Sequence, residues 1–296
     1  MATQYAGQLT STPMRAASTL ARPTFEMPEN ACDAHMHVFE SLAQYPSVGN
    51  PQYTLPDGPL AKYREVMDAL SIRRFAIVQP SFYGTDNRCL LDALAKAGDA
   101  ARGVVMIDEG LPAATLDDWH RANVRAIRLD LFSRAEQPTK DIQAYITRMA
   151  ALCESLGWHL QFYAPGPIVR NLIPFLADVR TPFVIDHMGY MTQEDGLTSD
   201  DFTRLLQLLK DGNCTLKLSA PYRVAKLRPL ASVAPMAKAI IETAPDKVIW
   251  GSDWPHIPMG ERDTGELLNL LADWTTDAET RRKILVDNPA RLYDFA

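Results

Sequence analysis

Hydrophobic positions along this chain follow two rhythms that alternate. Short runs dense in apolar and β-branched residues recur eight times: "ACDAHMHVF" (31–39), "RFAIVQP" (74–80), "RGVVMI" (102–107), "VRAIRLDL" (124–131), "WHLQFYA" (158–164), "PFVIDHMG" (182–189), "CTLKLSA" (214–220) and "KVIWGSDWPH" (247–256). Between them lie stretches such as "KYREVMDALSI", "DNRCLLDALAKAG", "TKDIQAYITRMAALCESLG", "DFTRLLQLLKDG" and "PMAKAIIETAP". Their apolar residues return at intervals of three and four, the period of a helix with one buried face. Strands alternating with helices predict parallel βαβ units. Eight units over roughly 260 residues predict an α/β fold, a single closed (β/α)8 TIM barrel, usually about 250 residues long. A doubly wound open sheet would carry a glycine-rich phosphate turn after its first strand. The segment that follows the first run, "HMHVFESLAQYPSVGN", has no such turn.

Ahead of the first run the pattern disappears. Residues 1–29, rich in Thr, Ser, Ala and Pro, read as an extended or mobile N-terminal arm, and residues 30–296 as the barrel domain. The arm has no apolar stretch long enough for a signal or membrane helix. Arg15 and Arg22 give it some likeness to a transit peptide, but it lacks an amphipathic period. Composition narrows the function classes. The chain is 47% hydrophobic and 22% charged, an ordinary globular balance, with net charge −6 and pI about 5.5. A nucleic-acid partner would need a clustered basic surface, which is not evident, and no membrane partner is expected. Cys32, Cys89, Cys153 and Cys214 are widely spaced without a CxxC pair, so free thiols in a reducing cytoplasm are expected. A monomer or small homo-oligomer is anticipated.

In a (β/α)8 barrel the active site sits at the C-terminal ends of the strands. This sequence collects its unusual polar residues there. The first run ends with His35 and His37, and the second with Gln79 and then Ser81. The fourth carries Arg128 and Asp130, with Arg134 beyond. The fifth ends with Tyr163, the sixth with Asp186 and His187, the seventh with Tyr222 and Arg223, and the eighth with Asp253 and His256. Side chains alternate between strand faces, so His35 and His37 point the same way, as do Arg128 and Asp130. A lone histidine in a strand is more often a hydrogen-bonded structural residue than a ligand. That reading suits His120, on a helix, and His159, at the opening end of its strand. His35, His37, His187 and Asp253 share one barrel face, and their joint placement marks a site, either a metal clip or a grip on a substrate.

An HxH closing the first strand, a His closing the sixth and an Asp closing the eighth resemble the amidohydrolase superfamily. "DAHMHVF", "IVQPSFYGTDN", "IRLDLFSR", "VIDHMG" and "VIWGSDWPH", in that order, resemble its lactone-processing branch, that of the 2-pyrone-4,6-dicarboxylate lactonases. The similarity runs from about residue 30 to "NPARLY" near the C-terminus. It implies a hydrolase that opens the ring ester of a small acidic lactone, such as a pyrone dicarboxylate or a muconolactone-like product of aromatic breakdown. Alternatives are a sugar-acid lactone isomerase of the same branch, a zinc-dependent decarboxylase of a neighbouring one, or a binding protein on a spent barrel.

The resemblance also implies roles. Asp253 would be the general base, with His35, His37 and His187 as catalytic partners that donate N–H groups to the charged carbonyl oxygen. Arg128, Arg134 and Arg223 match substrate arginines, and guanidinium groups suit carboxylates. Tyr53 and Tyr163 match phenol positions, Gln79 a polar position, and His256 completes the substrate set. Metal-dependent relatives add a His at the end of the fifth strand and often a bridging Lys on the fourth. Here Tyr163 and Arg128 stand in those regions, so no cofactor is expected to be required. If Zn2+ bound, His35, His37, His187 and Asp253 would hold it. Two departures bear on the substrate: Pro258 replaces an Asn after "DWPH", and "KLSAPYR" places Tyr222 beside Arg223.

Overall fold

The structure, a computed structural model, describes residues 13–48, 55–191, 197–257 and 260–296. Its centre is one eight-stranded parallel sheet in sequence order: β1 (Cys32–Met36), β2 (Arg74–Val78), β3 (Ala101–Val105), β4 (Val124–Asp130), β5 (His159–Tyr163), β6 (Phe183–Ile185), β7 (Cys214–Ser219) and β8 (Val248–Gly251). The chain beyond β8 closes the ring onto β1. Met36 bridges Trp254, Asp253 N–H donates to His35 O (2.8 Å) and His37 N–H to Trp254 O (2.8 Å). The predicted (β/α)8 barrel is therefore the observed fold.

Helices follow the strands on the outside: α1 (Leu60–Leu70), α2 (Arg88–Ala97), α3 (Ala113–Arg121), α4 (Thr139–Leu156), α5 (Gly166–Leu176), α6 (Asp200–Asp211), α7 (Pro221–Ala225), α8 (Ala234–Thr243), α9 (Thr264–Trp274), α10 (Ala278–Arg282) and α11 (Asn288–Tyr293). Each long helix turns its apolar stripe inward. In α2 the buried residues are Cys89, Leu90, Ala93 and Leu94, one face at a spacing of three to four. A Cβ on Gly103 of β3 would lie 2.7 Å from Leu94 Cδ1, so a larger residue there would make the Leu94 side chain of α2 shift. The large core between helices and sheet is one contiguous apolar cluster. A smaller cluster, including Ala34, Val78, Val104, Ala126, Val184 and Ile249, belongs to the strands' other face, where Tyr293 and Phe295 pack against it. Among the described residues no helix is long and apolar enough to cross a membrane.

The arm has defined contacts over the part that is described. Arg15 pairs with Asp263 (2.8 Å), Ala21 N–H reaches both Asp263 oxygens (3.0 and 3.1 Å), and Thr24 N–H donates to Asn269 Oδ1 (2.8 Å). Asp263 also caps α9 through the N–H groups of Gly265 and Glu266. One carboxylate thus ties the arm to the helix that follows β8.

Three strands end earlier than the apolar runs suggest. His37, His187 and Asp253 lie just beyond β1, β6 and β8. At two of these ends the backbone turns left-handed (φ 52° at His187, 62° at Asp253), which an extended ladder does not accommodate.

Candidate active site at the C-terminal ends of the strands

The site begins with an irregularity in β1. The β1–β2 ladder shifts register between Asp33 and Met36. Asp33 fixes the shifted stretch: Oδ1 accepts the N–H groups of His35 (3.0 Å) and Ser252 (2.8 Å), and Oδ2 accepts Tyr63 OH (2.7 Å). One buried carboxylate therefore splices β1 to the end of β8. A Cβ on Gly251 would come within 2.5 Å of His35 Cβ, so glycine there is what allows the two chains to approach.

Left-handed backbone clusters at the strand ends. His187, Met188 and Tyr190 after β6, Ala220 after β7, and Asp253 and His256 after β8 all have φ between 45° and 63°. Such conformations cost a non-glycine residue roughly 1–3 kcal/mol and concentrate at functional sites. Here they aim side chains from three strands at one point.

That point lies between three imidazoles and a carboxylate. His35 Nε2 and His37 Nε2 are 3.3 Å apart. Asp253 Oδ1 stands 3.5 Å from each of them and 3.9 Å from His187 Nε2. All four residues are buried. The distances to Oδ1 exceed the usual hydrogen-bond range, which ends near ~3.2 Å. Oδ2, in contrast, accepts Tyr222 OH (2.6 Å) and Arg223 Nη2 and Nε (3.0 and 3.2 Å). Burial alone would raise the Asp253 pKa. The Arg223 guanidinium and the surrounding imidazoles outweigh it and hold the carboxyl well below its ordinary range. Burial pushes His187 down to about 4, and His35 also falls well below the imidazole norm. Asp253 is thus anionic, and His35 and His187 beside it are neutral.

The family model for the amidohydrolases matches residues 32–295, nearly the whole barrel. The chain belongs to the amidohydrolase family. It is 32% identical to a 2-pyrone-4,6-dicarboxylate hydrolase from Comamonas testosteroni, covering 92% of this chain and 93% of that one. It is 33% identical to a 4-sulfomuconolactone hydrolase from Rhizobium radiobacter, covering 91% and 92%. An apo crystal structure from Agrobacterium tumefaciens superposes with a TM-score of 0.81 at 28% identity, covering 93% of this chain and 99% of that one.

In this amidohydrolase the other expected site residues are placed variously. Arg128 is buried, donates from Nη1 to Gln79 O (2.9 Å) and lies over the Tyr163 ring (4.2 Å to the centroid). Tyr163 in turn contacts Phe132, Tyr190 and His187, forming an aromatic wall beside the histidines. Arg223 is the ion-pair partner of Asp253. Gln79 Nε2 donates to Gly84 O and Asp86 O and so braces the loop after β2. His256 bonds Thr264 Oγ1 through Nε2 (2.9 Å), and its ring meets Tyr222. The contacts of Arg134 are with Tyr145 of α4 (3.9 Å to the ring centroid) and Gln137, not with the histidines. Tyr53 and Pro258 lie outside the described residues. His120 accepts Trp158 Nε1–H, and His159 packs on Tyr293, both structural.

Sequence reasoning missed Lys217. It is fully buried on β7, 3.1 Å from Asp186 Oδ1 and 3.2 Å from His35 Nδ1. The signal was present in "CTLKLSA": Thr215, Lys217 and Ser219 alternate with leucines, and in a closed barrel that polar face points inward. Tyr190, whose half-buried ring packs between Phe132 and His187, was missed as well.

Two groups have ligand atoms close enough to hold a metal: His35, His37 and Asp253, and His35, Asp186 and His187. A zinc ion with bonds of ~2.0–2.1 Å needs tetrahedral edges of roughly 3.3–3.4 Å, so the first group fits by spacing. Its chemistry fits less well. A ligating histidine almost always donates its second ring N–H to a carboxylate, carbonyl or water. His37 does so, to Val78 O (2.7 Å). His35 Nδ1 instead lies between the Lys217 ammonium (3.2 Å) and Asp186 Oδ1 (3.3 Å). The spacing accepts zinc, while at His35 Nδ1 an ammonium competes with the carboxylate that a zinc-bound ring would donate to.

Proposed function

We propose that this amidohydrolase opens the ring ester of a small, multiply anionic lactone by adding water, without a metal. The observation that carries this reading is the division of labour at Asp253. Oδ2 is saturated by Tyr222 and Arg223, while Oδ1 makes no short bond among the described residues and faces three imidazole nitrogens. A water between Oδ1 and the substrate carbonyl would lose its proton to Oδ1 as its oxygen bonds the carbonyl carbon. The carbonyl oxygen gains negative charge, which imidazole N–H groups stabilise. The ring C–O bond then breaks, and the proton held by Asp253 passes to the leaving oxygen. The product is a ring-opened carboxylate with a free hydroxyl or its oxo tautomer.

Arg128, buried and stacked on Tyr163, supports recognition of a substrate carboxylate or sulfonate. The aromatic wall suits a flat unsaturated ring. The two hydrolases compared above carry the names of such lactones, which supports a role in the breakdown of aromatic compounds. Cys32, Cys89, Cys153 and Cys214 are all free and buried, which supports a reducing, cytoplasmic setting. The test is to incubate the protein with 2-pyrone-4,6-dicarboxylate and 4-sulfomuconolactone in water enriched in heavy oxygen. Ring opening with one heavy oxygen in the new carboxylate is expected. Isomerisation without heavy-oxygen uptake, or no turnover of either lactone, would overturn the proposal.

A further inference from the structure

Beneath the catalytic centre lies a fully buried polar group with no assigned role: Lys217 of β7, Asp186 after β6 and the far side of the His35 ring. Lys217 Nζ is 3.1 Å from Asp186 Oδ1. An ammonium group taken from water needs such a partner, because an unpaired buried charge is very costly. Asp186 Oδ2 is in turn held by Gln161 Nε2 (3.0 Å). Asp186 keeps its charge despite burial, because the Lys217 ammonium holds its carboxyl well below the usual range.

His35 Nδ1 has two neighbours that ask for opposite protonation. Lys217 Nζ, at 3.2 Å, would donate to a bare Nδ1. Asp186 Oδ1, at 3.3 Å, would accept from a protonated one. The lysine contact satisfies hydrogen-bond geometry and the contact of the ring with Asp186 Oδ1 does not; among the described residues that oxygen is ion-paired with Lys217. An ammonium has only donors, so an Nδ1–H would face another donor at 3.2 Å. A neutral imidazole with a bare Nδ1 must carry its proton on Nε2.

From this geometry we infer that Lys217 is a positioning residue that locks His35 in the Nε2–H tautomer. It thereby turns one half of an HxH pair from a metal ligand into a hydrogen-bond donor aimed at the reaction centre. His37 has the opposite arrangement. Its Nδ1–H donates to Val78 O, which in the neutral ring leaves the lone pair on Nε2. The two Nε2 atoms, 3.3 Å apart, are then donor and acceptor and not two competing lone pairs. The inference deepens the lactonase reading, and rests on it only for the use made of the His35 N–H.

The test needs no substrate. Protein labelled with nitrogen-15 at its six histidines is examined by long-range proton–nitrogen NMR at neutral pH. The His35 signals are identified by their loss in His35→Gln. A neutral His35 protonated at Nε2 is expected. Protonation at Nδ1, or an imidazolium, overturns the inference. In Lys217→Met, Asp186 is the remaining neighbour, so His35 should move its proton to Nδ1. The freed Nε2 should then raise zinc affinity at least ~10-fold, since a partner bonded to the far nitrogen of a ligating histidine is worth that much. Affinity is read by competition with a coloured chelator. An unchanged tautomer or unchanged zinc affinity in a folded Lys217→Met contradicts the lock; if that variant does not fold, the wild-type spectrum decides. An Nε2–H His35 in a protein that opens no acidic lactone would sink the functional reading and leave the tautomer assignment standing.

Discussion

Asp253→Asn separates chemistry from architecture. Asn keeps the size and shape of Asp. Its carbonyl oxygen can still accept Tyr222 OH and Arg223, the sources of the three bonds now made to Oδ2. The amide nitrogen then occupies the Oδ1 position, where no proton acceptor remains. Loss of an essential proton-transfer group costs ~10²–10⁴-fold in rate, or about 3–5 kcal/mol of activation free energy at ~1.4 kcal/mol per tenfold. The stability loss is smaller. Arg223 loses its countercharge, but its side chain is 25% exposed and can recruit water. A charge-assisted bond of about 1.5–3 kcal/mol, discounted for that exposure, leaves about 1–2 kcal/mol. This is well within the ~5–15 kcal/mol that stabilises a typical domain. The assay pairs thermal unfolding with steady-state kinetics on 2-pyrone-4,6-dicarboxylate. The loss should fall on kcat, because the proton transfer exists only in the transition state. Tyr222→Phe is the control: it removes one bond to Oδ2 but keeps the carboxylate, so it should cost less than about tenfold. A folded Asp253→Asn within tenfold of wild type would refute the reasoning. So would a Tyr222→Phe as impaired as Asp253→Asn.

The arginines should divide. Arg128→Met should lower kcat/KM for acidic lactones more than about tenfold, at about 1.5–3 kcal/mol per charge-assisted bond, and spare a neutral lactone. Arg223→Met should depress both in parallel, because it orients Asp253, and Arg134→Met, packed on Tyr145, should do least; three equal, acid-specific losses would contradict this division. Stability should fall as pH drops from about 6.5 towards 4. Burial lowers His187 and His256 to about 4, so below the ordinary imidazole pKa the unfolded chain takes up protons that the fold refuses. Each contributes up to about 3 kcal/mol at ~1.36 kcal/mol per unit, and a melting temperature that stays flat or rises from pH 7 to pH 5 would exclude it. Asp263→Ala should cost about 1–2 kcal/mol in denaturant unfolding, since it removes the α9 cap together with the anchor of Arg15 and Ala21; an unchanged midpoint would show that the arm adds nothing.

The barrel was legible because its signal is periodic. Eight short apolar runs and the intervening helical stripes survive in the bare sequence whatever the tertiary detail. The convergence of His35, His37, His187 and Asp253 was legible for the same reason, since each closes a strand. What the pattern could not give was pairing across the barrel. Arg223 and Tyr222 read as residues of a substrate loop, yet both bond Asp253, from the other side of the β7–β8 junction. Lys217 read as one polar residue in an apolar strand, and only ring closure brings it against His35. Arg134 matched a substrate position, but its stacking on Tyr145 depends on how α4 returns to the sheet, which no local pattern encodes. The strand ends were placed a few residues late because left-handed turns at His187 and Asp253 leave no mark in hydropathy.

The most direct measurement compares kcat/KM for 2-pyrone-4,6-dicarboxylate with that for an uncharged lactone of the same ring, on protein stripped of metal and verified metal-free. A metal-free lactonase that reads anionic groups through Arg128 should keep full activity after stripping. It should also favour the dicarboxylate by at least ~10-fold, the equivalent of one charge-assisted bond. Activity that vanishes on stripping and returns only with zinc, or equal use of the charged and uncharged rings, would contradict it.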